Sequence, residues 1–147
     1  MKKQVLTSAL LLLLSLVMIF SFVACAKKVP AEGIWESATY RADKTFGKGD
    51  KTITFKVTAE EQTVTFTVKT DKETLADALL EHELIAGEDS AYGLMVETVD
   101  GMTAKYAEGY WWALYEGDQM ASVGASSLAI KDGGVYTFSR VAATAMG

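Results

Sequence analysis

The sequence predicts an α+β domain, with one helix packed on a mostly antiparallel sheet. Three observations carry that prediction. KTITFKV (51–57) and TVTFTVKT (63–70) alternate apolar and polar residues, the period of half-buried strands. The stretch TDKETLADALLEHELIAG (70–87) then switches to a helical period. Beyond it, apolar strand-like runs return, separated by turns that contain Asp-Gly or Gly-Asp.

In order along the chain, MKK opens a basic start, and Val5 to Val23 is an almost uninterrupted apolar run. FVAC (22–25) places small Ala24 before the only cysteine, and polar AKK follows at once. That is the arrangement of a bacterial lipoprotein signal, although Phe22 stands where such signals usually carry leucine. On this reading residues 1–24 are a signal peptide, Cys25 is lipidated and becomes the first mature residue, and 25–38 form a tether. The alternative is an uncleaved anchor helix, since about 20 apolar residues cross a bilayer. The expected location is the cell envelope, on the outer side of the cytoplasmic membrane, or the outer membrane if the cell has one. More than one acyl chain is needed for stable anchoring.

With Lys2 and Lys3 in the leader, the remainder carries 12 basic against 19 acidic residues, a net charge of −7. Such a domain repels phosphate polymers, so nucleic acid is not an expected partner. With its one cysteine committed to lipid, the mature chain has no disulfide and no thiol metal site. Its stability must come from a core.

Within the domain, placed at 39–147, GKGD (47–50) is a glycine-rich turn, and AEEQ (59–62) turns one alternating strand into the next. The helix is expected from Thr70 as N-cap with Glu73 as the reciprocal partner of a capping box. Leu75, Ala78, Leu79, Leu80 and Leu84 supply its apolar face, and Gly87 ends it after about four turns. YGLMVETV (92–99), GYWWALYEG (109–117), a short piece near 119–123 and VYTFSRVAA (135–143) are the later strands. Hairpin, helix and further strands is also the order of a β-grasp.

Catalytic chemistry is hard to find in these residues. His82 is the only histidine and reads as an ordinary helix residue. No metal is expected, because zinc needs several nitrogen or sulfur ligands. No G-x-S-x-G, P-loop or EF-hand spacing occurs. The acid pairs Glu60-Glu61, Glu81 with Glu83, and Glu88-Asp89 fall in turns or on a solvated face, where nothing shifts their pKa values for acid–base work. The expectation is a binding protein, not an enzyme.

The aromatic run Tyr110, Trp111, Trp112 and Tyr115 is the feature left over. In a strand, Tyr110, Trp112 and Leu114 share one face, and Trp111, Ala113 and Tyr115 the other. One tryptophan should then be structural, with the second exposed or beneath a loop; the alternative is that core and loops bury both. A contiguous exposed row would mark a binding surface.

The block from Tyr92 to Val141, with its Tyr-Gly strand, Tyr-Trp hairpin, Gly124 and Lys131–Gly133 turn, resembles the C-terminal β domain of the transcobalamin and intrinsic-factor family of vitamin B12 carriers. It is still more similar to the stand-alone bacterial lipoprotein form of that domain (DUF4430-like). The resemblance implies a β-grasp-like domain closing over one face of a corrinoid. Carried over, the contacts are Glu97, Thr98 and Met102 in the first turn, with Trp111, Ala113 and Met120 around the hairpin; strand alternation adds Trp112. A corrin is a broad, largely apolar disc with amide arms, which tryptophan, methionine and hydroxyl groups suit. No built-in cofactor is expected; a corrinoid would be the bound ligand. The large helical domain of the carriers is missing here, and no cobalt ligand can be named. The expected alternative is therefore a surface module that docks a protein or glycan of the envelope, such as a transporter.

Overall fold

The computed structural model describes residues 27–146. The expected signal peptide and the expected lipidation site, Cys25, lie outside the described residues.

The frame is a six-stranded mixed sheet in the order β1-β3-β2-β9-β7-β8. Its strands are β1 (Lys44–Gly47), β2 (Lys51–Ala59), β3 (Gln62–Thr70), β7 (Tyr110–Glu116), β8 (Gln119–Met120) and β9 (Val135–Ala142). A second, antiparallel sheet holds β4 (Ile85–Ser90), β5 (Gly93–Val99) and β6 (Met102–Thr103). Most pairings are antiparallel, as expected, but β1 runs parallel to β3, and β2 parallel to β9.

The alternating strands behave as their pattern predicts. Ile53, Phe55, Val57 and Ala59 on β2 pair in register with Val68, Phe66, Val64 and Gln62 on β3, and the apolar members are all buried. Tyr136 and Phe138 of β9 extend the same face. Phe55, Phe66, Phe46 and Phe138 meet edge-on or tilted, with centroids 5.5–6.1 Å apart. Threonines and lysines line the opposite, more open face of β2 and β3.

The helix is shorter than the sequence suggests. It spans Leu75–Leu80 (α1), and its N-cap is Thr74, whose hydroxyl accepts from the Asp77 N–H; Thr70 is instead the buried last residue of β3. Leu75, Ala76, Ala78 and Leu79 are buried, whereas Leu80 is exposed. The apolar period runs on to Leu84, but Glu83 takes a positive φ of 55° and breaks the helix there. Leu84 and Ile85 then enter the core from the start of the second sheet, and Gly87 sits at a bulge within β4. His82 accordingly lies in the turn after α1, against the Phe46 ring.

The segment expected as a tether packs against the domain. Val29 N–H donates to the Arg41 carbonyl at 2.7 Å. Residues Gly33–Ser37 form a 3-10 turn that buries Trp35, whose Nε1 donates to the Ala59 carbonyl at 2.9 Å.

Candidate functional site

The first turn nominated from the sequence docks beneath residues 37–40, with Glu97 and Thr98 half-buried and Met102 buried. Asp100 and Gly101, both at positive φ, turn β5 into β6 beneath residues 37–40. Thr39 N–H donates to the Asp100 carbonyl at 2.8 Å, and Tyr40 N–H to Asp100 Oδ1 at 2.9 Å. A Cβ on Gly101 would lie 2.6 Å from the Ser37 carbonyl oxygen, so only glycine fits this approach. Met102 is wholly buried in the core and offers a ligand no surface, a correction to its expected contact role. Thr98 and Thr103 face each other across the hairpin, hydroxyls 3.2 Å apart.

Among the described residues, Asp100 is the one group with a strongly perturbed pKa. Desolvation by burial pushes it up to about 7, against the lowering effect of the Tyr40 N–H bond. Its Oδ2 is buried with no hydrogen-bond partner. Its bonds to the Thr39 and Tyr40 N–H groups make it a structural post for residues 39–40.

Strand β7 divides the nominated aromatics between two faces. Trp112 pairs across β9 with Arg140, and Leu114 with Phe138, on the core face. Trp112 is 6% exposed, and its Nε1 donates to the Glu97 carbonyl at 3.1 Å, which ties β5 to β7. The same carbonyl accepts from Ala104 N–H at 2.8 Å, so the Glu97 carbonyl is used twice inside the fold. Trp112 is the structural tryptophan. At the open end of this face the Arg140 guanidinium stacks 3.8 Å from the Tyr110 centroid and its Nε donates to the Thr103 carbonyl. Sequence reasoning missed Arg140 because its partners, on β6 and β7, are remote in the chain.

The other face carries Trp111, Ala113 and Tyr115, paired with Val141, Ser139 and Thr137 of β9. Tyr115 also pairs with Met120 of β8, so Met120 joins this face, and it is 57% exposed. Trp111 and Tyr115 are each half-buried. Ala113 is wholly buried between them and forms a floor, not a contact surface. The hairpin therefore brings Trp111, Tyr115 and Met120 into one row and leaves Glu97, Thr98, Met102 and Trp112 on the far side of β7. Tyr115 was legible from alternation alone.

This row is a surface and not a cleft. A hollow of about 470 Å³ lies at the other edge of the sheet, beside Lys27–Pro30 and the start of β3. Among the described residues, no three His, Cys, Asp or Glu side chains converge to hold a metal ion.

Residues 72–139 match the family described as a domain of unknown function (DUF4430). Among curated proteins, none matches the sequence. Among solved structures, the chain is similar to a candidate metal-binding protein from Ruminococcus gnavus ATCC 29149. That match has a TM-score of 0.61 and 28% identity over 63% of this chain and 98% of the other. It is also similar in fold to haptocorrin in complex with Cbi, with a TM-score of 0.53 and 17% identity over 66% of this chain. The chain spans 26% of haptocorrin's length. Residues 72–139 thus match the DUF4430 family model, and the fold of the chain is similar to part of haptocorrin.

Proposed function

We propose that this chain is a non-catalytic binding protein of the cell envelope, held outside the membrane by acyl chains on Cys25. It offers the Trp111–Tyr115–Met120 face of its β7–β8 hairpin to a flat, largely apolar ligand of the corrinoid class. The domain is β-grasp-like: a hairpin (β2–β3), a helix, and a last strand that returns parallel to the first strand of that hairpin. The observation that carries the binding reading is the row itself: Trp111 and Tyr115, half-buried on either side of Ala113, with exposed Met120 across from Tyr115 on the same face of the sheet. Such a row gives contact area at low entropic cost, and methionine adapts to an irregular outline. Haptocorrin's complex with Cbi supports the choice of ligand class through a shared fold. The Ruminococcus protein suggests metal binding, but no ligating cluster among the described residues favours that reading here.

The test is a titration of the chain from Lys27 onward with cobinamide and cobalamin, followed by tryptophan fluorescence. Every core residue lies between Val29 and Phe138, so this piece contains the whole folding unit. With contacts from this one face alone, binding is expected on the order of micromolar, about 8 kcal/mol. Saturable quenching lost in Trp111→Ala and Met120→Ala, yet kept in Trp112→Phe, is the expected result. A flat titration to millimolar would limit the likeness to fold and move the search to protein or glycan partners, including an envelope transporter.

A further inference from the structure

The domain is acidic overall, yet its N-terminal corner is basic. Two adjoining hollows, of about 470 and about 270 Å³, share Lys28, Ala42 and Asp43 in their walls. Between them they collect Lys27, Lys28, Arg41 and Lys44. Among the described residues none of these four forms an ion pair; the pairs found are Lys51 with Glu73 and His82 with Glu81.

One acid, Asp43, stands in this corner against the four cations, and two more stand beside it. Asp43 Oδ1 accepts the Thr65 N–H at 2.8 Å. Glu32 and Glu60 line a smaller neighbouring hollow, and the Glu60 carboxylate accepts the Ile34 N–H.

The cations are held in place. The Val29–Arg41 backbone bond fixes the strand that carries Lys27 and Lys28, and Arg41 Nη1 donates to the Val29 carbonyl at 3.2 Å. The Lys44 ammonium lies 4.4 Å from the Tyr40 centroid, which leaves its other side to solvent.

The place of this corner in the chain says what faces it. Lys27 follows Cys25 by two residues, and the apolar run ends at Val23. Whether the leader is cleaved and lipidated at Cys25 or kept as an anchor helix, Lys27 and Lys28 emerge at the bilayer surface.

We infer that Lys27, Lys28, Arg41 and Lys44 form a basic collar that docks on the phosphate groups of an anionic bilayer, with the β1–β3 edge of the sheet toward the membrane. The inference rests on the membrane-anchoring reading for its setting, but the collar itself acts without the lipid. Each basic residue near an anionic surface adds a modest attraction that fades within a Debye length, so the collar orients an anchored domain more than it anchors one. Net negative charge on the rest of the domain acts in the same sense, because an anionic surface repels it as a whole.

The experiment is co-sedimentation of the non-lipidated chain from Lys27 onward with phosphatidylglycerol or phosphatidylcholine vesicles, at low and high salt. Retention on phosphatidylglycerol alone, lost at high salt and reduced about tenfold or more by Lys28→Glu/Lys44→Glu, is expected. The control Lys51→Glu/Lys72→Glu, at the far end of β2 and β3, should reduce it less. Equal retention on both lipids, equal loss in both variants, or no retention at low salt would overturn the collar. So would saturable binding of millimolar inorganic phosphate at Lys28 and Lys44 with no vesicle retention, which would make it a free-anion site. Failure of acylation at Cys25 in cells would remove the anchoring reading and leave these vesicle results untouched.

Discussion

A carboxylate buried without a counter-ion binds its proton more tightly in the folded chain than in the unfolded one. Asp100 is 1% exposed and its pKa rises from 3.8 to about 7, chiefly through desolvation. Between those two values folding takes up a proton, so this residue's contribution is full below about pH 4 and is lost as pH rises to about 7. At about 1.4 kcal/mol per unit of pKa, the whole window is on the order of 4 kcal/mol. Asp100→Asn keeps an acceptor for the Tyr40 N–H and tolerates the positive φ of 51°. Urea midpoints of the two proteins at pH 4 and pH 8 check this: the variant should gain on the wild type as pH rises, and an unchanged difference would refute it. The two tryptophans separate in the same assay. Trp112→Ala empties a core site and loses the bond to Glu97, at about 3–5 kcal/mol. Trp111→Ala, on the open face, should cost about 1–1.5 kcal/mol. Equal costs would mean that Trp111 is as structural as its neighbour.

At the scale of elements, the β2–β3 hairpin turns through Glu60 and Glu61, whose φ values are 48° and 64°. A side chain in this left-handed region costs roughly 1–2 kcal/mol, and glycine avoids it. Glu61 is exposed with its side chain in no recorded bond, so Glu61→Gly should raise stability by about 0.5–1 kcal/mol in thermal unfolding. Glu60→Gly should gain less, because the Glu60 carboxylate accepts the Ile34 N–H and so secures the 3-10 turn around Trp35. A larger gain from Glu60→Gly would show that this link contributes nothing. The same hairpin marks what was readable from sequence. Its strands declare themselves because one face is core and the other solvent, so composition alternates with the pleat. The helix misled because Leu84 continues the helical period while serving the second sheet, and the break at Glu83 is a backbone choice that no glycine announces. Strand β1 was missed because four residues carry too little pattern and its pairing is parallel. At the site, alternation alone separated Trp111 from Trp112, but the inward docking of the 97–102 turn depends on contacts with residues 37–40, sixty positions away in the chain for Tyr40 and Asp100.

At the scale of the molecule, the order of the six strands gives the domain two unlike edges. β1, with Lys44 of the collar, is one edge, and β8, with Met120 of the aromatic row, is the other. Five inter-strand steps separate them, about 24 Å at about 4.8 Å each. If the collar sits on phosphate, the row is held clear of the headgroups and stays open to a ligand or to a second protein that covers the ligand's other side. Because the core is continuous from Trp35 through β2, β3 and β9 to Trp112, the sheet carries that separation as a rigid body. A fluorophore on Thr63→Cys, in the collar's groove, should be strongly quenched by quencher-labelled headgroups on phosphatidylglycerol vesicles. One on Gln119→Cys, beside Met120, should be quenched little, and its emission should stay the same with and without vesicles. Similar quenching at both positions would mean that the domain lies flat or tumbles on its anchor. The row would then compete with the bilayer for its own apolar surface, and ligand affinity would fall when vesicles are added.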